Sequence, residues 1–526
     1  MNVNQFLEHW RIAENPFRAE EARHDGVFRR AALSVDAPAA SVHSEFDKVL
    51  GELSRPTTSV VFGEKGSGKT AIRMQIEERV RAHNARSPDA KQLIILYDDL
   101  DPFVGEMQAR FGSTKDAMAA FNKYRLVDHL DAVLSLAVGR LVSSLVLGRG
   151  DSEFGEEAGR TGRRMPPAMK QDLVLLQALF DAEDGDGSRT RELRDSLRMP
   201  SPKGAGTRAF LCAAGWIPAA AALAWIIWAS GAFGAAEGAS DRGWIGDLGV
   251  LLGQIALGVA LVGYGAVLVK YLAWDRLKRS RLARRTREEM RSLARSPSAI
   301  AASLASVDPA RLIPGLLPDP DHSETARYQL LERFTAVLQR FGHSGILVLI
   351  DRVDEPTLVA GDAEKMRLLI WPLFNSRFLQ LDRVGVKLLL PIELRHALFR
   401  ESQTFFSEAR LDKQSLVERL SWTGPMLYDL CNARIAACTP ADGEKRPAVL
   451  ADLFADNVTR QDLIDALDQM QQPRDAFKFL YRCIAEHCQN VSTEDDAWQV
   501  PRLVLDTVRR SEADRVQQLH RGVRPA

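Results

Sequence analysis

The sequence predicts an α/β protein: a parallel sheet interrupted by a two-helix membrane hairpin and followed by a helical C-terminal region. Three observations predict it. The β-branched run "TTSVV" feeds the glycine-rich "FGEKGSGKT" (Phe62–Thr70), and a helical pattern follows it. Residues 209–233 and 248–269 carry no charged side chain. A second buried-strand pattern, "ILVLIDRVDEP" (Ile346–Pro356), ends in an acid.

Composition bounds the rest. The chain has 526 residues, 46% apolar and 26% charged, an ordinary globular composition and enough for about two to four compact units. Lys plus Arg (69) equal Asp plus Glu (69), and no basic groove with interleaved aromatics indicates nucleic acid. Cys212, Cys431, Cys438, Cys483 and Cys488 form no CxxC pair; Cys483 and Cys488 flank His487 at a spacing too loose for a metal site, so free thiols in a reducing compartment are expected. The first residues, "MNVNQFLEHWRIAENPF", lack the apolar core of a signal peptide. The expected divisions are residues 1–56, a helical lead-in; 57–204, the first half of the nucleotide domain; 205–275, the hairpin; 276–400, a basic helix and the second half; and 401–526, a helical lid or adaptor.

Gly63, Gly68, Lys69 and Thr70 satisfy G-x-x-x-x-G-K-[ST], the phosphate-loop pattern. "SVVF" before it reads as a strand, and Ala71, Ile72, Ile76 and Val80 after it recur at helical spacing. That order suits the chemistry. Backbone N–H groups over Gly63, Glu64, Lys65, Gly66, Ser67, Gly68, Lys69 and Thr70 can wrap phosphates, and the helix N-terminus adds partial positive charge. Gly66 and Gly68 let the backbone approach closely. Lys69 is expected to reach the β- and γ-phosphates of ATP, and the Thr70 hydroxyl to ligate Mg²⁺.

The uncharged stretches each exceed the roughly 20 residues that span hydrocarbon as a helix. Pro218 predicts a kink in the first; Trp216, Trp225, Trp228, Trp244 and Trp274 cluster in or beside the spans, and those nearest the ends suit interfacial anchoring; Gly249 with Gly253 forms a GxxxG that suggests a close helix contact. Arg191, Arg194, Arg198, Lys203 and Arg208 precede the spans, and a run from Lys270 to Arg291 follows them. The connector "GAAEGASDRGWIGD" holds three acids and one arginine. The positive-inside rule therefore places both outer flanks and both termini in the cytoplasm, with two spans in the inner membrane. Two crossings return the chain to the side it left, so segments on either side of the insert can build one site. The arginine run reads as a solvated helix face or as a surface for anionic headgroups.

"GILVLID" is the continuous apolar run of a central parallel strand, and it ends in Asp351, where ligands bind in open α/β sheets. Asp351 is the expected partner of Thr70 on Mg²⁺. Arg352 follows it, where many ATP-hydrolysing proteins carry a water-polarising glutamate; Asp354 and Glu355 are the next acids and the candidate bases. "VGVKLLLPIEL" (Val384–Leu394) reads as a neighbouring strand ending near Glu393 and Arg395, with Arg395 either a γ-phosphate sensor or half of a surface ion pair. "LIILYDDLDPF" reads as a further strand with Asp98 and Asp99 at its carboxyl end. In the C-terminal region Thr459 and Asp462 form a capping signal before Leu463, Ile464, Leu467 and Met470. Pro473 opens a helix with Phe477, Leu480, Tyr481 and Ile484 as its core stripe. Arg474 stands in that helix's first turn, unfavourable to the dipole, and is a candidate phosphate contact.

"GEKGSGKT", the hairpin between Ala209 and Ala273, and "LVLIDRVDEP" together resemble the KAP family of P-loop NTPases, related to the STAND and AAA+ groups, whose membrane spans lie between the Walker A and Walker B elements. "PRDAF" around Arg474 is similar to the arginine-bearing lid helix of AAA+-like proteins. The family's adjacent acids and later Asp-Arg are displaced here, which leaves a neighbouring bacterial P-loop group as an alternative. The resemblance implies Mg-ATP binding and hydrolysis at the inner face of a membrane, with nucleotide-driven assembly or signalling, in some relatives in host defence. The partners it implies are the bilayer, a homo-oligomer and an unidentified protein. The alternative function is a nucleotide-gated membrane scaffold that binds ATP with little turnover.

Overall fold

The computed structural model describes residues 1–18, 21–33, 41–113, 116–147, 154, 157–200, 205–230, 244–312, 317–318, 323–374, 377–409, 411, 415–440, 448–492 and 496–520. The chain divides into two units, residues 1–129 with 338–526, and residues 130–337.

The first unit is built on five parallel strands, β1 (Ser59–Gly63), β2 (Lys91–Tyr97), β3 (His343–Ile350), β4 (Val384–Pro391) and β5 (Ser415–Val417), in the order β2-β3-β4-β1-β5. Each long strand is a β-rich apolar run because helices cover both faces of a parallel sheet; Val60, Val61 and Phe62 of β1 and Ile346 to Leu349 of β3 are buried. β4 lies between β1 and β3, with Val61 opposite Leu389 and Val348 opposite Val386. Ile72, Ile76 and Val80 of the Lys69–Arg86 helix join Val61, Ile94, Leu349 and Leu389 in one apolar cluster. All five strands run the same way, so their carboxyl ends share one edge. An acid stands just beyond each: Glu64, Asp98, Asp351, Glu393 and Glu418.

Two expected boundaries are corrected here. β5 pairs with β1, so the sheet extends past residue 401, because three short extended residues carry too little pattern to register as a strand. The N-terminal residues are not a separate lead-in: Phe6, Leu7, Ile12, Phe17 and Val27 pack in one cluster with Leu427, Ile435, Leu467, Phe479 and Leu480 of the C-terminal helices. The Thr459–Asp462 capping box forms as expected, and Cys431, Cys438, Cys483 and Cys488 are buried free thiols. Tyr481 departs from the expected core stripe and is exposed.

The second unit is helical. Asp131, on the Leu126–Leu147 helix, accepts two bonds (2.6 and 2.7 Å) from Arg327 on the Ser323–Gln339 helix, and both side chains are fully buried. Asp184 accepts from Thr190 (2.6 Å), Gln177 (3.0 Å) and Ser303 (2.8 Å), which tie three further helices together. Among the described residues three helices are long and apolar enough to cross a membrane: Leu126–Val146, Ala209–Trp228 and Leu248–Glu289. The first, not singled out from the sequence, is 72% buried, which makes it a core helix; the others are only 11% and 6% buried. The expected kink appears as a break: helices Ala205–Ala214 and Ile217–Ala229 meet at Gly215–Trp216, with Pro218 in the second one's first turn, where no N–H is needed. The Tyr264 hydroxyl donates to the Cys212 carbonyl at this break (2.8 Å). One half of the GxxxG lies at a close helix contact: a Cβ on Gly253 would come within 2.7 Å of Ile226, whereas one on Gly249 would meet nothing within 4 Å. The expected connector falls largely outside the described residues, as do Lys203, Phe233 and the side chains of Arg208 and Trp244.

Two outcomes follow. Asp131→Ala removes the carboxylate that takes two bonds from the buried Arg327 guanidinium and should lower unfolding stability by about 3–5 kcal/mol in chemical denaturation, while Asp131→Leu with Arg327→Met recovers most of it. Lys387 of β4 is buried, donating to Leu50 O (3.0 Å) and Thr57 Oγ1 (2.9 Å), and burial pushes its ammonium down to about 7. The unfolded chain binds the extra proton between about pH 7 and the ordinary lysine value near 10.4, so stability should rise with pH across that window and level off below about 7, where both states hold the proton. Thermal melts of Lys387→Met should lose this slope.

Candidate functional site

The β1 carboxyl end turns directly into the Lys69–Arg86 helix through the loop Glu64–Gly68. Gly66 (φ +98°) and Gly68 (φ +94°) hold backbone shapes that L side chains rarely adopt. Trp422 Nε1–H donates to Ser67 O (2.8 Å), and the Ser67 hydroxyl donates to Glu64 O (2.9 Å), so the loop is fixed from both sides. Backbone N–H groups of Lys65, Gly66, Gly68, Lys69 and Thr70 make no hydrogen bond among the described residues. They form an unsatisfied donor ring at a helix N-terminus, the chemistry an oxyanion fits. Lys69 Nζ, largely buried, donates to the Gly63 (2.7 Å) and Glu64 (3.0 Å) carbonyls. Burial pushes this ammonium down, opposed by Asp351, Asp354, Glu393 and Glu64.

Asp351 follows β3 and is 1% exposed. Its Oδ2 accepts from Thr70 Oγ1 (2.9 Å) and its Oδ1 from the Arg352 N–H (3.0 Å). Burial pushes its carboxyl up, against Thr70, Arg73 and Lys69, which favour the charged form. A hydroxyl paired with a buried carboxylate at the carboxyl edge is a hard-oxygen donor set of the kind Mg²⁺ takes while keeping several waters. Among the described residues no cluster of three or more His, Cys, Asp or Glu offers an all-protein metal cage, so a cation here would rest on Thr70 and Asp351 together with ligand oxygens.

These groups line a cleft of about 390 Å³. Asp354, Glu355 and Arg474 also line it. Arg352 takes a left-handed backbone (φ +61°) and its guanidinium pairs with Glu355, so that acid is engaged. The Asp354 carboxylate has no hydrogen-bond or ion-pair partner among the described residues. Arg474 packs over the loop, and its Cβ lies 3.1 Å from where a Cβ on Gly66 would sit. The opposite wall is apolar, with Phe28, Ile72, Trp422, Leu430 and Phe477. His43 also belongs to it: Nδ1 accepts from the Glu45 N–H (3.0 Å), so Nε2–H donates to Ser421 O (2.9 Å), and burial keeps the ring neutral.

Arg395 is not brought to the cleft. It pairs with Glu418 (2.8 Å) at the surface, while Glu393 lines the cleft instead. Both lie on the Ile392–Leu398 helix, and residues two apart point about 200° apart, so one alone can face inward. Asp98 bonds Arg23 and lies 3.6 Å from Arg73, and Asp99 accepts from the Asp101 N–H. Sequence reasoning missed Arg73. This buried guanidinium lies 3.5 Å from Asp351 Oδ2 and 3.5 Å from Glu77, a counter-charge set beneath the acid. Its only signal was its position one turn after Thr70 on the same helix. Also missed were Gln472 and Arg419, which both hold the Glu64 carboxylate, and Arg434, which pairs with Asp25 (2.8 Å), donates to Pro16 O (2.6 Å) and lies over the Phe477 ring.

Comparison with family models, with curated proteins and with solved structures finds no match to this chain.

Gly66→Ala should test the loop's shape without touching a charge. The positive φ and the packing of Gln472 and Arg474, within 3.0–3.4 Å of where a Cβ would sit, make a methyl group at this position strained and tightly fitted. A loss of about 1–2 kcal/mol in unfolding free energy is expected, with Gly361→Ala, whose Cβ meets open space, as the comparison for φ strain alone.

Proposed function

We propose that this chain is a membrane-anchored P-loop ATPase whose cleft binds Mg-ATP. The observation that carries the reading is the 2.9 Å bond between Thr70 and Asp351, 281 residues apart, beside a loop of unsatisfied N–H donors and Lys69. In this reading the loop amides and Lys69 bind the β- and γ-phosphates. Thr70 and Asp351 hold the cation, which when bound neutralises charge on the phosphate oxygens. Arg474 stands over the loop, where a cation can contact the γ-phosphate. The apolar wall around Phe28, Trp422 and Phe477 excludes water and stacks on the base.

Asp354 takes the role of base. It receives a proton from the attacking water as that oxygen bonds to the γ-phosphorus and the bond to ADP breaks. Glu355, engaged by Arg352, is poorly placed for this.

The two exposed apolar helices support the anchoring: we read Ala209–Trp228 and Leu248–Val269 as a hairpin that crosses the bilayer twice, with both basic flanks and both termini on the cytosolic side. This arrangement, with the spans between the two halves of the nucleotide site, is the one the KAP family resemblance implies. A second reading, a nucleotide-gated scaffold with little turnover, is favoured by Arg352 standing directly after Asp351.

Phosphate release from ATP by the full chain decides between them. Lys69→Ala should reduce it about 100-fold or more, and Asp354→Asn about 100-fold with ATP binding retained, while Glu355→Gln stays near wild type. Tight ATP binding with no phosphate release in the wild type would favour the scaffold, and absence of ATP binding would overturn both.

A further inference from the structure

The Leu248–Glu289 helical run is continuous, from an exposed apolar segment into the basic Asp275–Glu289 helix. That basic helix has a defined packing face. Ala283, Thr286 and Met290 are buried, at i, i+3 and i+7. Trp274, Lys278, Arg281 and Arg285 follow one another at i, i+4, i+7 and i+11, and Arg281 and Arg285 stand about 160° and 200° around the axis from Ala283. All four are exposed. Lys278, Arg281, Arg284 and Arg285 have no ion-pair partner among the described residues, and Lys278 lies 5.6 Å over the Trp274 ring. A basic helix face in a globular protein usually pairs some charge through acids at i±4. Here Glu288 and Glu289 stand four residues after Arg284 and Arg285, and Asp275 three before Lys278, yet none of these basic side chains forms an ion pair among the described residues, which leaves the stripe unneutralised.

We infer that this stripe is a docking surface for anionic phospholipid headgroups. The inference rests on the membrane-spanning reading and names the lipid class that reading leaves open. Trp274 and the exposed Leu272 and Leu277 supply the amphipathic belt expected where hydrocarbon meets headgroups. Lys278 and Arg281 follow Trp274 by about 6 and 10 Å along the axis, within the headgroup layer and about one screening length of it. Their stems pass along apolar surface while the charges reach phosphate. Each basic residue near an anionic surface contributes a factor of about five in affinity. A fixed phosphate or a polyanion in solution would want a concave cluster of donors; a straight stripe along one helix matches an extended charged plane.

The test uses the full chain in vesicles of phosphatidylcholine containing brominated phosphatidylglycerol or brominated phosphatidylcholine. The part of the tryptophan quenching that depends on Trp274 is obtained by comparison with Trp274→Phe. A preference for phosphatidylglycerol of about 25-fold is expected, since two residues near the surface give a factor of about five each. It should fall toward unity at high salt. Lys278→Gln, Arg281→Gln, Arg284→Gln and Arg285→Gln combined should abolish it. Alkaline carbonate extraction, run in parallel, reads the anchoring independently: the quadruple variant should stay in the membrane pellet with the wild type. Equal quenching by both lipids, or a preference that survives the four substitutions, overturns the assignment whatever the extraction shows. Displacement of the lipid signal by single-stranded RNA would assign the stripe to nucleic acid and overturn it as well.

Discussion

Everything at the cleft depends on one topological constraint: five strands run in the same direction, and β4 is inserted between β1 and β3. A parallel sheet gathers its carboxyl ends on one edge, and that edge receives Glu64, Asp98, Asp351, Glu393 and Glu418 regardless of how far apart they are in the chain. A loop tethered at β1 and an acid tethered at β3 then lie across the end of β4, close enough for Thr70 to bond Asp351. Hundreds of residues can intervene without disturbing this pair, because the ladder register on either side of β4 fixes both ends. Loop-closure entropy grows only slowly with length, so a large insertion there is tolerated.

The constraint has an electrostatic consequence. Five acids on one edge repel one another, and a carboxylate buried as deeply as Asp351 loses its hydration. Arg73 beneath Asp351, Arg23 at Asp98, Arg419 at Glu64 and Arg395 at Glu418 answer most of that charge with specific partners. Glu393 of the five, and Asp354 beside them, are left without one among the described residues, although both face the same cleft. An uncompensated acid beside a ring of unsatisfied N–H donors is a poor arrangement for stability and a useful one for chemistry.

The cleft's other wall has a different origin. The N-terminal helices share an apolar cluster with the C-terminal helices, and the Asp25–Arg434 pair, with Arg434 also bonded to Pro16 O, fastens the two chain ends. Phe28 and Phe477 therefore come from opposite ends of the sequence to line one apolar surface. Gln472 and Arg474, on the same C-terminal body, reach the glycine loop at Glu64 and Gly66. The body that forms the apolar wall thus also touches the loop, so a change at either is felt by the other.

The sequence by itself determined the features that rest on local chemistry. The loop shape follows from glycines at positive φ, the strands from unbroken apolar runs, and the Thr459 cap from a side chain three residues from its partner. The exposure of the two apolar helices is likewise written in stretches without charge. Tertiary structure alone decided what depends on which way a side chain faces and what lies opposite it. It chose Glu393 over Arg395 on one short helix, buried Arg73 under Asp351, and recruited Phe6, Leu7, Ile12, Phe17 and Val27 to the C-terminal cluster. It also buried the Leu126–Val146 helix, whose composition matches that of a membrane span, by pairing Asp131 with an arginine nearly 200 residues away (|i−j| = 196). Burial and facing are set by partners distant in the chain, and local sequence carries no record of them.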